Sequence, residues 1–136
     1  MSTQAHYAGS CLCGGIQYEI RGPLGDIMQC HCRRCRKANG SAFAANSPIA
    51  KTDFQLLQGE QLLKAFNPNT GVIRYFCSDC GSPIYSVRTD VPDIYRLRIG
   101  TLDTPIEQKP VCHIFTGSKA EWEDICDALP QYTERP

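Results

Sequence analysis

Short runs in which apolar and polar side chains alternate recur along the chain, and this spacing is typical of half-buried β-strands. The clearest alternation covers residues 94–99, while residues 72–76 are rich in β-branched and aromatic side chains. Turn sequences that contain Gly, Pro or Asn separate several of these runs. The runs that predict strands are residues 16–20, 26–29, 62–66, 72–76, 82–88 and 94–99, with further short strands and turns in residues 44–59.

One helix is predicted, over residues 119–128. Ser118 can act as its N-cap, and Glu121 stands three residues later, as in a capping box. The expected fold class is therefore mainly β, a single compact domain of antiparallel strands over residues 1–136 with one short C-terminal helix. Residues 1–6 are expected to be flexible.

Fourteen basic and fourteen acidic side chains cancel over the 136 residues, so no overall field draws the protein to nucleic acid or to an anionic membrane. The N-terminal residues lack the apolar segment of a signal peptide, and no run approaches the roughly 18 apolar residues of a membrane span. We therefore expect a cytoplasmic protein without nucleic-acid or membrane partners. The sequence points to no particular oligomeric state.

Nine cysteines change this picture, because seven of them stand in C-x-C, C-x-C-x-x-C and C-x-x-C groups. These spacings are typical of metal sites, whereas the odd count and the missing signal peptide argue against a secreted disulfide framework. Cys112 and Cys126 stand alone, and we expect both to be small buried hydrophobic side chains.

Seven thiols divide naturally into four and three, as expected for one closed zinc site and one zinc site with an open position. In an extended segment Cys30 and Cys32 point to the same side, and a tight turn can bring Cys35 to meet them. The chain is thus expected to bind two zinc ions. The predicted ligands are Cys11, Cys13, Cys77 and Cys80 for a structural zinc and Cys30, Cys32 and Cys35 for a second zinc.

The sequence leaves open two alternatives to a second zinc site with a free position. Cys112 or His113 could close it as a fourth ligand, whereas His31 would point away from its flanking cysteines in an extended segment. An iron–sulfur centre is disfavoured because the short ferredoxin-type cysteine runs are absent. The cations that follow the cysteines either offset the excess negative charge of the thiolates or form a solvated surface. These cations are Arg33, Arg34, Arg36 and Lys37.

The chain resembles the glutathione-dependent formaldehyde-activating enzymes in five segments. These segments are G-S-C-L-C-G-G-I-Q-Y, C-H-C-R-R-C-R-K-A-N-G-S-A-F, F-C-S-D-C-G-S-P-I-Y, I-G-T-L-D and H-I-F followed by S-K-A-E-W. The resemblance implies a compact zinc-binding β fold of the kind shared with methionine sulfoxide reductase B and a zinc-binding Rab accessory protein. It also implies the same division of the seven cysteines, with the three-cysteine group as the catalytic zinc site.

The activity that the resemblance implies is condensation of glutathione with formaldehyde to S-hydroxymethylglutathione, a carbon–sulfur lyase reaction. An open zinc position suits this chemistry, because zinc lowers the pKa of a bound thiol and polarises a carbonyl group. A carboxylate of the tripeptide could be bound by Arg36 and Lys37 and by the Asn39, Gly40 and Ser41 backbone. Each of these residues could equally be ordinary surface or turn, and another small thiol or carbonyl compound is an alternative substrate.

Two further functions compete with the enzyme. One is a non-catalytic, zinc-stabilised binding module of the same fold, and the other is redox work by Cys30, Cys32 and Cys35 as reactive thiols. His113 and Trp122 stand at positions typical of the family. We expect His113 to be a core histidine or to support a metal ligand, and Trp122 to pack the short helix onto the sheet.

Overall fold

The structure is a computed structural model that describes residues 6–136. Within these residues it is mainly β, as the sequence predicts, and its α-helix α1 spans Arg33–Asn39. The strands are β1 (Tyr7–Ser10), β2 (Gln17–Ile20), β3 (Met28–Cys30), β4 (Ala44–Ala50), β5 (Phe54–Gln58), β6 (Leu63–Phe66), β7 (Val72–Cys77), β8 (Pro83–Arg88), β9 (Ile94–Arg98) and β10 (Cys112–Ile114). Flexibility is predicted for residues 1–6, and residues 1–5 of this segment lie outside the described range.

The described residues form two compact units. The first consists of residues 6–25 and Ser47–Ile106, and the second of Asp26–Asn46 and Glu107–Pro136. The prediction of one domain over residues 1–136 stays a prediction.

In the first unit, β1 pairs with β2 and β2 pairs with β5, all antiparallel. Strands β6, β7, β8 and β9 pair in chain order as an antiparallel meander. Successive residues of a strand point to opposite faces, and β2 buries alternate side chains, whereas β8 buries four in succession, from Ile84 to Val87. The core contains Ile16, Tyr18, Ile20, Leu24, Ile49, Ile84, Tyr85, Val87 and Leu97.

In the second unit, β3 pairs antiparallel with β4 and parallel with β10. Helix α1 begins three residues after β3 ends. The C-terminal segment returns to β10, where the backbone N–H of His113 donates to Pro130 and the N–H of Tyr132 donates to the His113 carbonyl. This unit therefore joins the cysteine-bearing segment, α1 and the C-terminal residues.

The helix predicted over residues 119–128 is wrong. Only a single turn occurs there, in which the N–H of Glu123 donates to the carbonyl of Ala120, and Ala120 is the segment's one fully buried side chain. Without an apolar face to pack, so short a helix is unstable. Trp122, predicted to pack that helix, is instead 68% exposed.

A helix forms where the sequence analysis predicts an extended segment with a tight turn. Cys32 is the N-cap of α1, and its sulfur accepts a hydrogen bond from the backbone N–H of Cys35. Gly40 ends the helix in the left-handed conformation (φ 61°), which glycine adopts without steric cost. Within residues 6–136 no helix is long and apolar enough to cross a membrane.

Candidate metal centres and a basic pocket

The first candidate metal centre, here called the four-cysteine cluster, lies in the first unit. Its ligand atoms are the sulfurs of Cys11, Cys13, Cys77 and Cys80, which lie within 4.8 Å of one another. The Cys11–Cys13 and Cys13–Cys77 sulfur pairs are 3.5 and 3.9 Å apart. Four thiolates around a tetrahedral zinc are about 3.8 Å apart, so the cluster has the spacing of a closed site.

Two tight turns build this cluster. The N–H of Gly14 donates to the carbonyl of Cys11, and the N–H of Gly81 donates to the carbonyl of Cys77. Both glycines have positive φ, 77° and 79°, a conformation that side chains with a Cβ rarely adopt. The glycine that follows each cysteine pair therefore lets the chain fold back so that both sulfurs of the pair face one point.

Hydrogen bonds to sulfur act in both directions in this cluster. The Gly15 backbone lowers the pKa of Cys13, but hydrogen bonding with Cys11 and burial outweigh it and raise that pKa to about 12, whereas the pKa of Cys80 is lowered. Ser82 lies 3.2 Å from the sulfur of Cys80, and this hydrogen bond lowers the pKa of Cys80 to about 5. The N–H of Ile16 donates to the sulfur of Cys11, and the N–H of Cys80 donates to the sulfur of Cys77. Because the thiolate is the form that binds a metal, these bonds prepare the sulfurs as ligands.

The second candidate centre, the three-cysteine cluster, lies in the second unit. It consists of Cys30 at the end of β3, Cys32 at the N-cap of α1 and Cys35 in the first turn of α1, with sulfurs within 4.8 Å of one another. Cys30 and Cys35 are buried, whereas Cys32 is half-buried. Of the three cysteines, Cys32 is therefore the one that solvent reaches most.

The chemistry of these three thiols fits a bound cation. Hydrogen bonding to the sulfurs of Cys32 and Cys35, together with burial, raises the pKa of Cys30 far above its ordinary value. Three thiolates so close together repel one another, and a divalent cation removes this repulsion. Soft thiolate ligands favour zinc over magnesium or calcium.

Among residues 6–136, no His, Asp, Glu or further Cys offers a ligand atom within 4.8 Å of all three sulfurs. Cys112 stands opposite Met28 in the β10–β3 register, and Ile114 is the residue opposite Cys30. The ring nitrogens of His113 contact His31 and Asp127 instead. The three candidates for a fourth ligand thus lie outside the cluster.

A chain of hydrogen bonds runs from the C-terminal segment to the residue between Cys30 and Cys32. His31 Nε2 lies 2.9 Å from His113 Nδ1, and His113 Nε2 lies 2.9 Å from an Asp127 oxygen. Both imidazoles are buried, and burial lowers the pKa of His31. The hydrogen bond from His113 lowers the pKa of Asp127, so the carboxylate accepts from His113 Nε2–H, and in that tautomer His113 Nδ1 accepts from His31 Nε2–H.

A basic pocket of about 210 Å³ lies on one side of α1. Three cations line it at helical spacing, because Arg33, Arg36 and Lys37 follow the i, i+3, i+4 pattern that places side chains on one face. Gly40, Ser41 and Trp122 complete the lining. Of the five substrate contacts predicted from the sequence, four thus line one pocket.

Asn39 is the predicted contact that does not line the pocket. Its Oδ1 is buried and has no hydrogen-bond partner within the described part of the chain. Arg33 and Trp122 line the pocket although the sequence analysis assigns them other roles. The i, i+3, i+4 spacing of Arg33, Arg36 and Lys37 could have indicated that Arg33 shares their surface. This spacing places side chains on one face only in a helix, and α1 was not predicted.

Two cysteines lie outside both clusters. All nine cysteines fall within residues 6–136, and none forms a disulfide. Cys112 is buried, as expected, but Cys126 is exposed, so the prediction that Cys126 is buried is wrong. Asp127, which completes the hydrogen-bond chain to His31, was missed because nothing near it in the sequence indicates its distant partner.

Comparison with known proteins identifies a family for most of the chain. The family model described as "Glutathione-dependent formaldehyde-activating enzyme" matches residues 6–118. Proteins of Aspergillus flavus and Aspergillus oryzae, provisionally named for the same family, are each 22% identical over 116 residues. These residues cover 84% of this chain but 54% of each relative, so the chain spans about half the length of the curated relatives it matches.

Among solved structures with a similar fold is a protein of Rhodobacter sphaeroides. Its crystal structure matches with a TM-score of 0.61 and 22% sequence identity, covering 74% of this chain and 91% of that chain. Trp122 and Asp127 both lie beyond residue 118, where the family match ends.

Proposed function

Because this chain belongs to the family of glutathione-dependent formaldehyde-activating enzymes, we propose that it is a zinc enzyme that condenses glutathione with formaldehyde to S-hydroxymethylglutathione. The observation that carries the proposal is the three-cysteine cluster, in which three sulfurs converge and no fourth protein ligand lies within 4.8 Å in residues 6–136. Three protein ligands and one open position are the arrangement of catalytic rather than structural zinc sites.

The proposal assigns the two clusters different roles. The four-cysteine cluster would hold a structural zinc that ties the loop after β1 to the β7–β8 turn, across 64 residues between Cys13 and Cys77. The three-cysteine cluster would hold the catalytic zinc, giving two ions per chain. A zinc ion bound there would lower the pKa of a coordinated thiol and polarise a carbonyl group.

The reaction itself is an addition and needs no oxidant or reductant. A carbon–sulfur bond forms between the thiol sulfur and the formaldehyde carbon as the carbonyl π bond breaks. The thiol proton is lost and the new hydroxyl oxygen gains one, so atoms and charge balance. The proposal therefore classes the enzyme as a carbon–sulfur lyase, with the cytoplasmic location and single-domain organisation predicted from the sequence.

The chain's own residues bind and orient the thiol. Arg36, Lys37, Gly40 and Ser41 line the basic pocket, where a carboxylate of glutathione can accept hydrogen bonds from the two cations. Cys30 and Cys35 are buried and Cys32 is half-buried, so the proposal has the thiol approach the cluster at Cys32. Holding both ends of the thiol supplies the positioning that makes an addition reaction fast.

The test is the rate at which glutathione and formaldehyde reach equilibrium with their adduct, measured by NMR exchange. We expect the zinc-loaded protein to accelerate this exchange, and Cys32→Ser to lose one of two metals and the acceleration while remaining folded by circular dichroism. Cys126→Ser is the matched control, since Cys126 is exposed and outside both clusters. Unchanged acceleration by the Cys32→Ser variant would refute the proposal.

A further inference from the structure

The hydrogen-bond chain from Asp127 to His31 has a direction that its outer end determines. The Asp127 carboxylate can only accept hydrogen bonds, and its Oδ2 lies 2.9 Å from His113 Nε2, so His113 Nε2 carries a proton. Imidazoles are ordinarily neutral at about pH 8, and a neutral imidazole has one N–H group. His113 Nδ1 therefore accepts from His31 Nε2–H, 2.9 Å away.

Within the part of the chain that the structure describes, His113 is the one hydrogen-bond partner of the His31 ring. His31 is fully buried, and its Nδ1 has no partner among residues 6–136. Thus no second contact there competes with His113 in selecting the His31 nitrogen that carries the proton. The tautomer of His31 follows from that of His113, which follows from Asp127.

A backbone hydrogen bond fixes the orientation of the Asp127 carboxylate. The N–H of Leu129 donates to Asp127 Oδ1 at 3.0 Å, as in an Asx turn. Oδ2 is then the oxygen nearer to His113 Nε2, at 2.9 Å against 3.2 Å for Oδ1. The outer end of the chain is therefore held in one orientation, although the Asp127 side chain is 43% exposed.

The inner end of the chain lies in the segment that carries two of the three cluster sulfurs. His31 stands between Cys30 and Cys32, and strand β10 holds it at two points. Its backbone N–H donates to the Ile114 carbonyl at 2.9 Å, and its ring donates to His113. The position of this segment on β10 therefore depends on the ring contact as well as on the backbone contact.

We propose that Asp127 is a positioning residue for the three-cysteine cluster, which acts through His113 to select the Nε2–H tautomer of His31 and to hold the His31 ring on β10. The inference rests on the proposed function only in treating this cluster as the catalytic zinc site. Asp127 lies beyond residue 118, where the family match ends, so the match does not assign this role. No group in the chain changes its charge in this role.

Asp127→Asn reverses the chain without breaking it. The Leu129 N–H keeps the amide oxygen on its side, which places the amide NH2 where Oδ2 stands, facing His113 Nε2. The amide now donates to His113 Nε2, so His113 carries its proton on Nδ1 and donates to His31 Nε2. The proton of His31 then moves to Nδ1. Asp127→Ala removes the outer hydrogen bond, so the contact between the two rings can run in either direction.

Nitrogen-15 NMR of the zinc-loaded protein at about pH 8 distinguishes a ring N–H from a bare ring nitrogen. The chain has three histidines, and His6→Gln identifies the pattern of the third. We expect N–H at Nε2 of both buried rings in the wild type, N–H at Nδ1 of both in Asp127→Asn, and both tautomers in Asp127→Ala. Asp124→Asn removes the same charge from an exposed position of the same segment and should match the wild type. A contribution of Asp127 to folding alone would not invert the tautomers.

The rate at which a chelator removes the second metal measures the hold on the cluster. Loss of a group that orients metal ligands typically lowers metal affinity 10- to 100-fold. Asp127→Ala leaves the contact between His31 and His113 in place, so we expect a smaller effect, about three-fold faster removal. Asp127→Asn keeps every hydrogen bond of the chain and should differ from the wild type by less than about two-fold.

The outcomes separate this inference from the proposed function, because neither measurement uses formaldehyde. A wild-type N–H at Nδ1 of His31 or His113, or unchanged tautomers in Asp127→Asn, would overturn the direction of the chain. Metal removal from Asp127→Ala at the rate of Asp124→Asn would overturn its hold on the cluster. If the tautomers invert and metal removal follows the expected order but the wild type does not accelerate formaldehyde exchange, the role of Asp127 stands and the proposed reaction fails.

Discussion

His113 connects the C-terminal segment to the cysteine-bearing segment, and replacing it with leucine tests this connection. The ring of His113 is 3% exposed and contacts His31 and Asp127 through its two nitrogens. In His113→Leu, His31 Nε2–H loses its acceptor in a site from which water is excluded, because the His31 ring is fully buried. A buried donor without a partner costs about 1–3 kcal/mol, so we expect the free energy of unfolding to fall by about 2 kcal/mol.

The same substitution should loosen the metal at the three-cysteine cluster. His31 stands between Cys30 and Cys32, and its backbone N–H donates to the Ile114 carbonyl, so we expect loss of its side-chain partner to loosen the segment that holds both sulfurs. Loss of groups that orient metal ligands typically lowers metal affinity 10- to 100-fold. We expect a chelator to remove one of two metals from His113→Leu at least ten times more readily than from the wild type.

Urea unfolding at a fixed excess of free zinc measures the first effect, because metal binding otherwise changes the apparent stability. A loss of 2 kcal/mol shifts the urea midpoint by on the order of 1 M. Asp127→Ala should show a smaller loss in the same direction, since that carboxylate is 43% exposed and water can replace it. Asp124→Ala, an exposed control, should match the wild type. A wild-type midpoint and equal metal retention in His113→Leu would refute the reasoning.

Three further predictions concern the cysteines and the core. Cys77→Ser should lose one metal and at least about 4 kcal/mol of stability, because a structural zinc contributes folding energy directly, and urea unfolding with metal analysis checks this. In native zinc-loaded protein, only Cys126 should react rapidly with a thiol reagent, whereas rapid reaction of Cys32 would favour the redox alternative. Burial raises the pKa of Tyr18 to about 12, so its contribution to stability is complete below pH 10 and is lost as pH rises towards 12. The stability of wild type should therefore fall by about 1.4 kcal/mol per pH unit more than that of Tyr18→Phe in that interval, and equal slopes would contradict the assignment.

The sequence predicts the meander well because each of its strands pairs with its neighbour in the chain. Strands β6 to β9 match their predicted runs within about one residue at either end. Strands β1 (Tyr-Ala-Gly-Ser) and β10 (Cys-His-Ile) were missed because each contains a single large apolar side chain, so no alternation is visible in them. Moreover, β10 is held by β3, which lies some eighty residues earlier, and no local pattern records that pairing.

Each group of neighbouring cysteines could be predicted because metal ligands recur within a few residues of one another, but the meeting of Cys13 with Cys77 across 64 residues was predicted only from the division of seven thiols into four and three. The helix α1 could not be predicted, since an extended segment satisfies the same cysteine spacing. The signals that favour a helix were the run of Arg, Lys and Ala and the terminating Gly40. The roles of Trp122 and Asp127 depend on tertiary contacts, and the spacing of apolar and polar residues along the sequence does not indicate such contacts.

The central claim is that the three-cysteine cluster holds a metal with an open position that accepts glutathione. The most direct measurement is the visible spectrum of the cobalt-substituted protein during titration with glutathione. We predict two cobalt ions per chain, one with four thiolates that ignores glutathione and one whose thiolate-to-cobalt absorption grows by one sulfur. Two fully ligated sites that both ignore glutathione would contradict the account.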